Sequence, residues 1–329
     1  MSTEPAATAP LSVEGLTTSI LVGTTWYDAV RDISFHVRPK ETLALVGESG
    51  CGKSLTALSV MGLLPPAAVR VTSGRIVVDG VDMTAADEPT REAMRGDRIG
   101  MIFQEPMTSL NPVLPIGFQV GEALMRHRGF TRRQARERAR ELLELVRVPA
   151  AAERLDAYPH QFSGGMRQRV MIALALACGP RVLIADEPTT ALDVTIQAQV
   201  LALMADLQEK EGLALLLITH NLGVVASVAD RVMVMYGGDV VESGPVHAFF
   251  ARPTHPYSEA LLAAMPRIEG DLPLQPIPGQ VPSLTEMPVG CRFQTRCPIR
   301  DERCAVLPPM TTVAGDPDHR VRCWARVEA

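Results

Sequence analysis

Residues 47–54, with the sequence GESGCGKS, constrain the fold of this chain more than any other stretch. They follow a short apolar run at residues 42–46 and precede a segment with helical character. Glycines at this spacing let the backbone turn N–H groups toward an anion, and the helix that follows adds the positive end of its dipole. The lysine can reach terminal phosphates and the last hydroxyl can ligate Mg²⁺. We therefore expect a phosphate-binding loop formed by Gly47, Glu48, Ser49, Gly50, Cys51, Gly52, Lys53 and Ser54.

An accidental glycine-rich turn is the alternative interpretation of this stretch. The chain contains only three lysines, Lys40, Lys53 and Lys210, so composition gives little chance of a lysine at the motif position. The loop predicts binding of a nucleoside triphosphate, but GTPases, kinases and helicases share it. The rest of the sequence must choose among these classes.

The overall composition excludes several classes of function. A chain of 329 residues can bury one large core or two moderate ones, and we expect two domains. The net charge is −5 and the arginines are dispersed among acidic residues. The sequence therefore has no cluster of basic residues that would indicate nucleic acid as the main partner. Apolar runs such as residues 170–178 are too short to span a bilayer, and the N-terminus lacks signal-peptide features. We expect a cytosolic protein that meets a membrane only through a partner.

Strands alternate with helices along most of the chain. The patterns predict strands at residues 11–16, 33–37, 42–46, 75–79, 99–103, 182–187, 213–219 and 240–242. They predict helices at residues 116–148, 170–178 and 258–264. The first strands form an antiparallel hairpin, and the later alternation is typical of a parallel sheet between helices. The predicted fold class is α/β, with a mainly parallel sheet flanked by helices.

Two adjacent acids end the strand predicted at residues 182–187. Asp186 can hold Mg²⁺ through water, and Glu187 can act as the base for a water that attacks the γ-phosphate. Acids at a strand end could instead cap the next helix. The upstream phosphate loop favours the hydrolytic interpretation.

A second phosphate site is predicted at Ser163, Gly164 and Gly165, which open a helix. Such a turn presents free N–H groups and the helix dipole to an anion. One chain thus carries two half-sites. This favours a head-to-tail dimer in which each phosphate loop is completed by the other subunit's Ser-Gly-Gly.

Taken in order, these motifs resemble those of the ATP-binding subunits of ABC transporters over residues 11–245. The order comprises the phosphate loop, Gln104, FSGGM at residues 162–166, Asp186 with Glu187, ALD at residues 191–193, and His220. The resemblance implies an ATPase that uses ATP and Mg²⁺. It also implies an ATP-binding domain at residues 1–250, with an antiparallel β subdomain and a helical subdomain at residues 105–178.

The resemblance also assigns roles to single residues. It implies that Gln104 senses Mg²⁺ and couples to a membrane subunit, and that Ser163 contacts the γ-phosphate held by the partner. His220 steadies the γ-phosphate and the attacking water, and Asp193 of the ALD segment belongs to the nucleotide site. The segment at residues 162–166 has Phe162 where the common LSGGQ motif has leucine, and Met166 where it has glutamine. The loss of glutamine removes one possible sugar contact.

Two aromatic residues, Trp26 and Tyr27, precede the strand at residues 33–37. Either ring can stack on adenine, although packing between strands is the commoner use of an aromatic at such a place. Tyr27 is taken as the candidate for the adenine contact.

The composition changes after residue 250, since 12 of the 26 prolines fall in the final 79 residues. The stretch at residues 266–290 is too rich in proline for a helix and is predicted to run extended over a surface. HPYSEALLAAMP at residues 255–266, IPGQVPSL at 277–284 and GCRFQTRCP at 290–298 resemble the C-terminal extension of oligopeptide and dipeptide importer ATPases. We therefore expect an extension at residues 251–329 and import of peptides, or of another solute such as nickel or glutathione.

This resemblance implies an assembly at the cytoplasmic face of the inner membrane. Its other members are a second ATPase subunit, favoured as a related but different chain, two permease subunits and an extracytoplasmic solute-binding protein. A soluble ABC ATPase of DNA repair or ribosome rescue is the rival, but the inserted modules or doubled ATPase halves of those proteins are not found here. A module without catalysis is disfavoured by the presence of Lys53, Glu187 and His220.

Of the six cysteines, Cys51 lies in the loop and Cys178 ends an apolar segment. The other four crowd the end of the chain: Cys291, Cys297, Cys304 and Cys323. In a reducing cytosol such crowding favours a metal or cluster over disulfides, and the Cys-x-x-Cys pairs of zinc ribbons are missing. The set suits a [4Fe–4S] cluster, which the resemblance also implies, with zinc or unligated thiols as alternatives. We expect the cluster to order the extension without a role in hydrolysis.

Overall fold

A computed structural model of the chain describes residues 9–104, 109–189, 193–265 and 276–326. The chain divides into two compact units. The signature unit, named for Ser163, comprises Met1–Ser12, His36–Glu41 and Val77–Leu217. The loop unit, named for the phosphate loop, comprises Val13–Phe35, Thr42–Ile76 and Ile218–Ala329.

The first strands of the chain form the predicted hairpin. Strand β1 (Leu11–Val22) and strand β2 (Thr25–Val37) are neighbours joined by a tight turn in which Gly23 has a φ of +63°. Strand β1 also neighbours β4 (Val69–Val78), whose end pairs antiparallel with β5 (Val81–Asp82). The strand predicted at residues 75–79 is therefore the end of a longer one.

The phosphate loop follows a buried strand, as predicted. Strand β3 (Thr42–Val46) is buried at every residue and pairs in parallel with β9 (Arg231–Tyr236). Burial along the whole strand is typical of a parallel strand covered on both faces. Helix α1 (Lys53–Met61) starts directly after the loop, and β10 (Asp239–Pro245) pairs antiparallel with β9.

The signature unit contains the other parallel strands. Strand β6 (Ile99–Ile102) pairs in parallel with β7 (Val182–Asp186), with Ile99 opposite Val182, and β8 (Ala214–Ile218) neighbours β7. The helices described for this unit include α2 (Glu88–Met94), α3 (Ile116–Arg128), α4 (Arg132–Leu145), α5 (Ala151–Arg154), α6 (Gly164–Ala175) and α7 (Val194–Glu211). None of the helices in the described parts of the chain has the length and apolarity needed to cross a bilayer.

The helical predictions hold with changed boundaries. The single helix predicted at residues 116–148 is interrupted by Gly129, which has a φ of +65° and ends α3, and by Thr131, which caps α4. Thr131 and Gln134 form a capping box, a local signal for a helix start. The buried helix predicted at residues 170–178 begins earlier, at Gly164.

The end of the chain is part of the loop unit. Helix α8 (Leu222–Val228) precedes β9, and α9 (Val246–Ala251) and α10 (Pro256–Ala263) follow β10. Two strands that the sequence did not reveal, β11 (Thr311–Val313) and β12 (Asp316–Val321), pair antiparallel, and β12 pairs with β10. Short 3₁₀ turns at Leu284–Glu286, Glu302–Ala305 and Trp324–Arg326 lie between or after these elements.

Part of the extension completes a core that it shares with the rest of the loop unit. Phe249, Tyr257 and Phe293 are buried in one cluster with Val232 and Val234 of β9. Burial of such a side chain contributes on the order of 1.5–3 kcal/mol. Residues 276–283 and 287–290 have no regular helix, in line with the predicted extended course, while residues 266–275 lie outside the described parts.

Candidate active site

The phosphate loop adopts a conformation that its glycines make possible. Gly50 and Gly52 have φ values of +77° and +101°, a region that favours glycine. A Cβ at Gly47 would lie 2.1 Å from the carbonyl oxygen of Met235, so a side chain has no room there. Helix α1 starts at Lys53 and has no side-chain cap, which leaves its first N–H groups for a ligand.

Lys53 is buried and lies across this loop. Its ammonium group donates to the carbonyl oxygens of Gly47, at 2.7 Å, and Glu48, at 3.0 Å. These bonds hold the charge beside the anion-binding backbone. Burial raises the pKa of the neighbouring Cys51 thiol, which therefore stays neutral and acts as a packing residue.

The predicted second half-site is a groove of about 720 Å³ in the signature unit. Ser163 caps helix α6 and accepts a bond from the N–H of Met166 at 3.4 Å. Asp193 caps helix α7 and accepts from the N–H of Ile196 at 2.9 Å. The groove is lined by Arg147, Pro149, Ser163, Gly164, Gly165, Met166, Arg169, Asp193, Ile196 and Gln199. The structure thus brings the Ser-Gly-Gly segment and Asp193 together.

The two adjacent acids occupy different backbone conformations at the end of β7. Asp186 is the last residue of the strand and is 4% exposed, while Glu187 is 8% exposed and has a φ of +51°. A residue other than glycine in this left-handed region costs on the order of 1–3 kcal/mol and such residues cluster at functional sites.

Gln104 and His220 each follow a strand end. Gln104 is exposed two residues after β6, and His220 is exposed two residues after β8. Ser54, Gln104 and Asp186 offer hydroxyl, amide and carboxylate oxygens, which are the donor types that Mg²⁺ prefers. The donor chemistry of these residues therefore fits the metal.

The two aromatic candidates differ in their surroundings. The guanidinium of Arg70 lies 3.9 Å from the ring centroid of Trp26, a cation–π contact that occupies one face of the indole. Tyr27 is half-buried and, as the next residue of β2, points to the opposite side of the strand. Its contact with adenine stays a prediction.

The predicted iron–sulfur cluster, with zinc as its alternative, is wrong. Within the parts of the chain that the structure describes, no group of three or more His, Cys, Asp or Glu side chains could hold a metal ion. Three of the four thiols serve in packing: Cys291 and Cys297 lie against the cluster around Phe293, and Cys323 packs with Val313 and Val321. None of the four cysteines forms a disulfide.

Burial raises the pKa values of three of these thiols. It raises the pKa of Cys291 to about 12, with further increases from Cys304, Cys297 and Cys323, and it also raises the pKa values of Cys297 and Cys323. Such thiols are uncharged near neutral pH and pack as small apolar groups. The extension is therefore held by apolar packing and hydrogen bonds instead of a metal staple.

Comparisons with known proteins identify the family. A model described as ABC transporter matches residues 30–190, and one described as oligopeptide/dipeptide transporter, C-terminal region, matches residues 241–304. The dipeptide transport ATP-binding protein DppD of Bacillus subtilis is 50% identical over 315 residues, which cover 95% of this chain and 94% of the relative. This chain belongs to the family of ABC transporter ATP-binding proteins.

Further members of the ABC family agree with this assignment. The oligopeptide transport protein AppD of Bacillus subtilis is 51% identical over 299 residues, 90% of each chain. A putative peptide import ATP-binding protein of Brucella abortus is 51% identical over 335 residues, 97% of this chain and 98% of the relative. The names of these relatives refer to peptide transport or import.

Solved ABC structures share the fold. The cassette MJ0796, solved as a dimer bound to ADP and Pi, is 27% identical with a TM-score of 0.65, covering 72% of this chain and 98% of that one. The protein cbiO1 from Clostridium perfringens, part of an ABC transporter complex, is 26% identical with a TM-score of 0.63, covering 74% and 91%. The α/β prediction is confirmed, and this ABC protein is an ATPase.

Sequence reasoning missed two residues that touch the phosphate loop. Tyr257 accepts a hydrogen bond from the backbone N–H of Glu48, and Arg296 donates to the Glu48 carboxylate. Arg296 lies 248 residues from Glu48 along the chain, and the sequence around Arg296 does not predict this contact.

Proposed function

We propose that this chain is the ATP-hydrolysing subunit that energises import of peptides across the cytoplasmic membrane. The observation that carries this proposal is the presence of both family regions, the ABC transporter region and the peptide-transporter C-terminal region, in one chain. Relatives about half identical over nearly the whole chain are named for dipeptide, oligopeptide or peptide transport. The extension at residues 251–329 is the part specific to this group.

The proposed assembly pairs this chain with a second ATPase subunit, two permeases and an extracytoplasmic solute-binding protein. The groove that contains Ser163, Gly164, Gly165 and Asp193 is the surface that completes the partner's phosphate loop. Exposed N–H groups at the start of α6 suit a γ-phosphate. The dimeric solved structure of MJ0796 with ADP and Pi is consistent with such pairing. The chain then acts as a peripheral protein on the inner face of the membrane.

We assign hydrolysis to an in-line attack of water on the γ-phosphate. The loop N–H groups and Lys53 bind the phosphates, Glu187 accepts the proton of the water, and His220 orients the water and the γ-phosphate. Ser54, Gln104 and Asp186 would hold Mg²⁺, and the metal would supply positive charge against the β- and γ-phosphates. No covalent intermediate is needed, because positioning and charge stabilisation supply most of the rate.

Replacement of Glu187 tests the catalytic assignment. Glu187→Gln removes the proton acceptor but keeps the size, so ATP binding should persist while turnover falls about 10²–10⁴-fold. The matched control is Glu209→Gln, because Glu209 is an exposed glutamate of the same unit that pairs with Lys40 at 2.6 Å. ATPase activity and ATP-driven peptide uptake are measured with the assembled transporter in proteoliposomes. A fall of less than about tenfold contradicts the role of Glu187.

Two further variants separate binding from the shared site. Lys53→Ala should weaken ATP binding itself, because it removes the charge held against the phosphates. Ser163→Arg should leave this chain's own ATP binding intact and disable the composite site whose phosphate loop belongs to the partner. Full-rate hydrolysis by isolated monomers contradicts the shared-site proposal.

A further inference from the structure

Glu48, the second residue of the phosphate loop, is held at three points. Its backbone N–H donates to the hydroxyl of Tyr257 at 2.9 Å, and its carbonyl oxygen accepts from the ammonium of Lys53 at 3.0 Å. Its carboxylate accepts two bonds from Arg296, from Nη1 at 2.6 Å and from Nη2 at 3.2 Å. Tyr257 and Arg296 both belong to the extension. The extension therefore contacts the loop that binds phosphate.

The side chain of Arg296 is held in place by contacts other than the one with Glu48. Its side chain is 4% exposed, and its Nε donates to the carbonyl oxygen of Pro278 at 2.8 Å. Nη1 also lies 3.4 Å from the hydroxyl of Tyr236, whose ring packs edge-on against Tyr257 at 4.8 Å between centroids. A two-pronged bond from a preorganised guanidinium is stronger and more specific than a single charge contact.

The carboxylate of Glu48 poses an electrostatic problem for a loop that binds anions. A negative charge beside the phosphate cradle repels a triphosphate, and the repulsion is strong where water is partly excluded. Lys53 cannot offset it without losing its own role toward the phosphates. Arg296 supplies the missing positive charge from the extension.

A second arginine of the extension supports the same loop indirectly. Arg292 donates to the carbonyl oxygens of Gly237 and of Asp28, the latter at 2.7 Å. The adjacent Gly238 donates its N–H to the carbonyl oxygen of Cys51 in the loop at 2.9 Å. Two parts of the loop thus depend on contacts that lead to residues 292–296.

We propose that Arg296 is a positioning residue for ATP, which neutralises Glu48 so that the phosphate loop binds the triphosphate more tightly when the extension is in place. The proposal rests on the assignment of residues 47–54 as the phosphate loop. It makes the extension an electrostatic part of the nucleotide site, although Arg296 touches the loop and not the nucleotide.

The test compares nucleotides of different charge on the full-length chain. Arg296→Gln should weaken binding of a fluorescent ATP analogue on the order of tenfold, which corresponds to about 1.4 kcal/mol, and should weaken the matching ADP analogue less. The loss should shrink between about 0.05 M and about 0.5 M salt, because screening weakens the repulsion. The matched control is Arg303→Ala, an exposed arginine of the extension whose salt bridge is with Asp301 at 2.8 Å; it should bind both analogues like the unaltered chain.

A double variant separates this role from a purely structural one. In a Glu48→Gln background, Arg296→Gln should cost little affinity, because no carboxylate remains to be neutralised. Glu48→Gln alone should tighten ATP binding more than ADP binding, and this measurement does not depend on the folding of any Arg296 variant. Equal losses for ATP and ADP, a loss that persists in the double variant, or unchanged affinity in Glu48→Gln would each overturn the proposal. These outcomes leave the assignment of the phosphate loop intact, because that assignment is tested separately by ATP binding to Lys53→Ala.

Discussion

The buried histidine at the start of helix α10 makes the stability of the loop unit depend on pH. His255 is 1% exposed, and its Nδ1 accepts the backbone N–H of Tyr257 at 3.0 Å, which requires an unprotonated nitrogen. The backbone N–H of His255 donates to the Glu242 carboxylate at 2.7 Å. Burial lowers the pKa of His255 to about 4; the charge of Glu242 opposes this shift and that of Arg326 adds to it.

The sign and size of the effect follow from this shift. The unfolded chain takes up a proton near the ordinary pKa of 6.5, whereas the folded chain does so only near 4. The contribution of His255 to the free energy of unfolding is therefore fully present above pH 6.5 and is lost as the pH falls toward 4. At about 1.36 kcal/mol per unit, the loss reaches roughly 2 kcal/mol at pH 5 and about 3.4 kcal/mol below pH 4.

Intrinsic fluorescence provides the assay. Both tryptophans, Trp26 and Trp324, lie in the loop unit, so urea unfolding followed by tryptophan emission reports on the unit that contains His255. Asparagine caps a helix without titrating. Between about pH 7.5 and pH 5, the free energy of unfolding of the His255→Asn variant should therefore fall by about 2 kcal/mol less than that of the unaltered chain. His247→Asn, at an exposed position of α9, should keep the original slope. The reasoning would be refuted if the free energy of unfolding changed with pH in the same way in His255→Asn and in the unaltered chain.

Two packing predictions use matched pairs. A Cβ at Gly165 would lie 2.8 Å from Cγ2 of Ile196, whereas one at Gly164 meets nothing within 4 Å. Gly165→Ala should therefore lower the free energy of unfolding by about 1–3 kcal/mol while Gly164→Ala is tolerated, as measured by thermal unfolding. Phe249 is fully buried, so Phe249→Ala should cost about 3–5 kcal/mol in tryptophan-detected urea unfolding. Val289→Ala, at a residue that is 83% exposed, should stay within about 0.5 kcal/mol.

The features predictable from the sequence are those set by neighbouring residues. The phosphate loop, the buried strand before it and the Ser-Gly-Gly helix start are local patterns, and each appears where the pattern placed it. The break at Gly129 was equally local and was missed, although a glycine followed by the capping box of Thr131 signals it.

Other features depend on residues far apart in the chain. The bond between Glu48 and Arg296 and the pairing of β12 with β10 arise only when the extension folds onto the loop unit. The cysteines show a different limit, because spacing alone does not reveal whether thiols converge on a metal or pack among apolar side chains. Here Phe293 and its neighbours supply the core that the metal was expected to replace.

Strand β12 has a consequence for any shortened form of the protein. It covers the side of β10 that β9 leaves open, and the match to the C-terminal family region stops at residue 304, before β12 begins. A chain cut at that boundary would expose a row of unpaired N–H and C=O groups along β10 and would leave Glu242 without His319, which lies 2.7 Å away. Bare strand edges recruit other chains. Soluble expression of a minimal version therefore requires the residues through Val321.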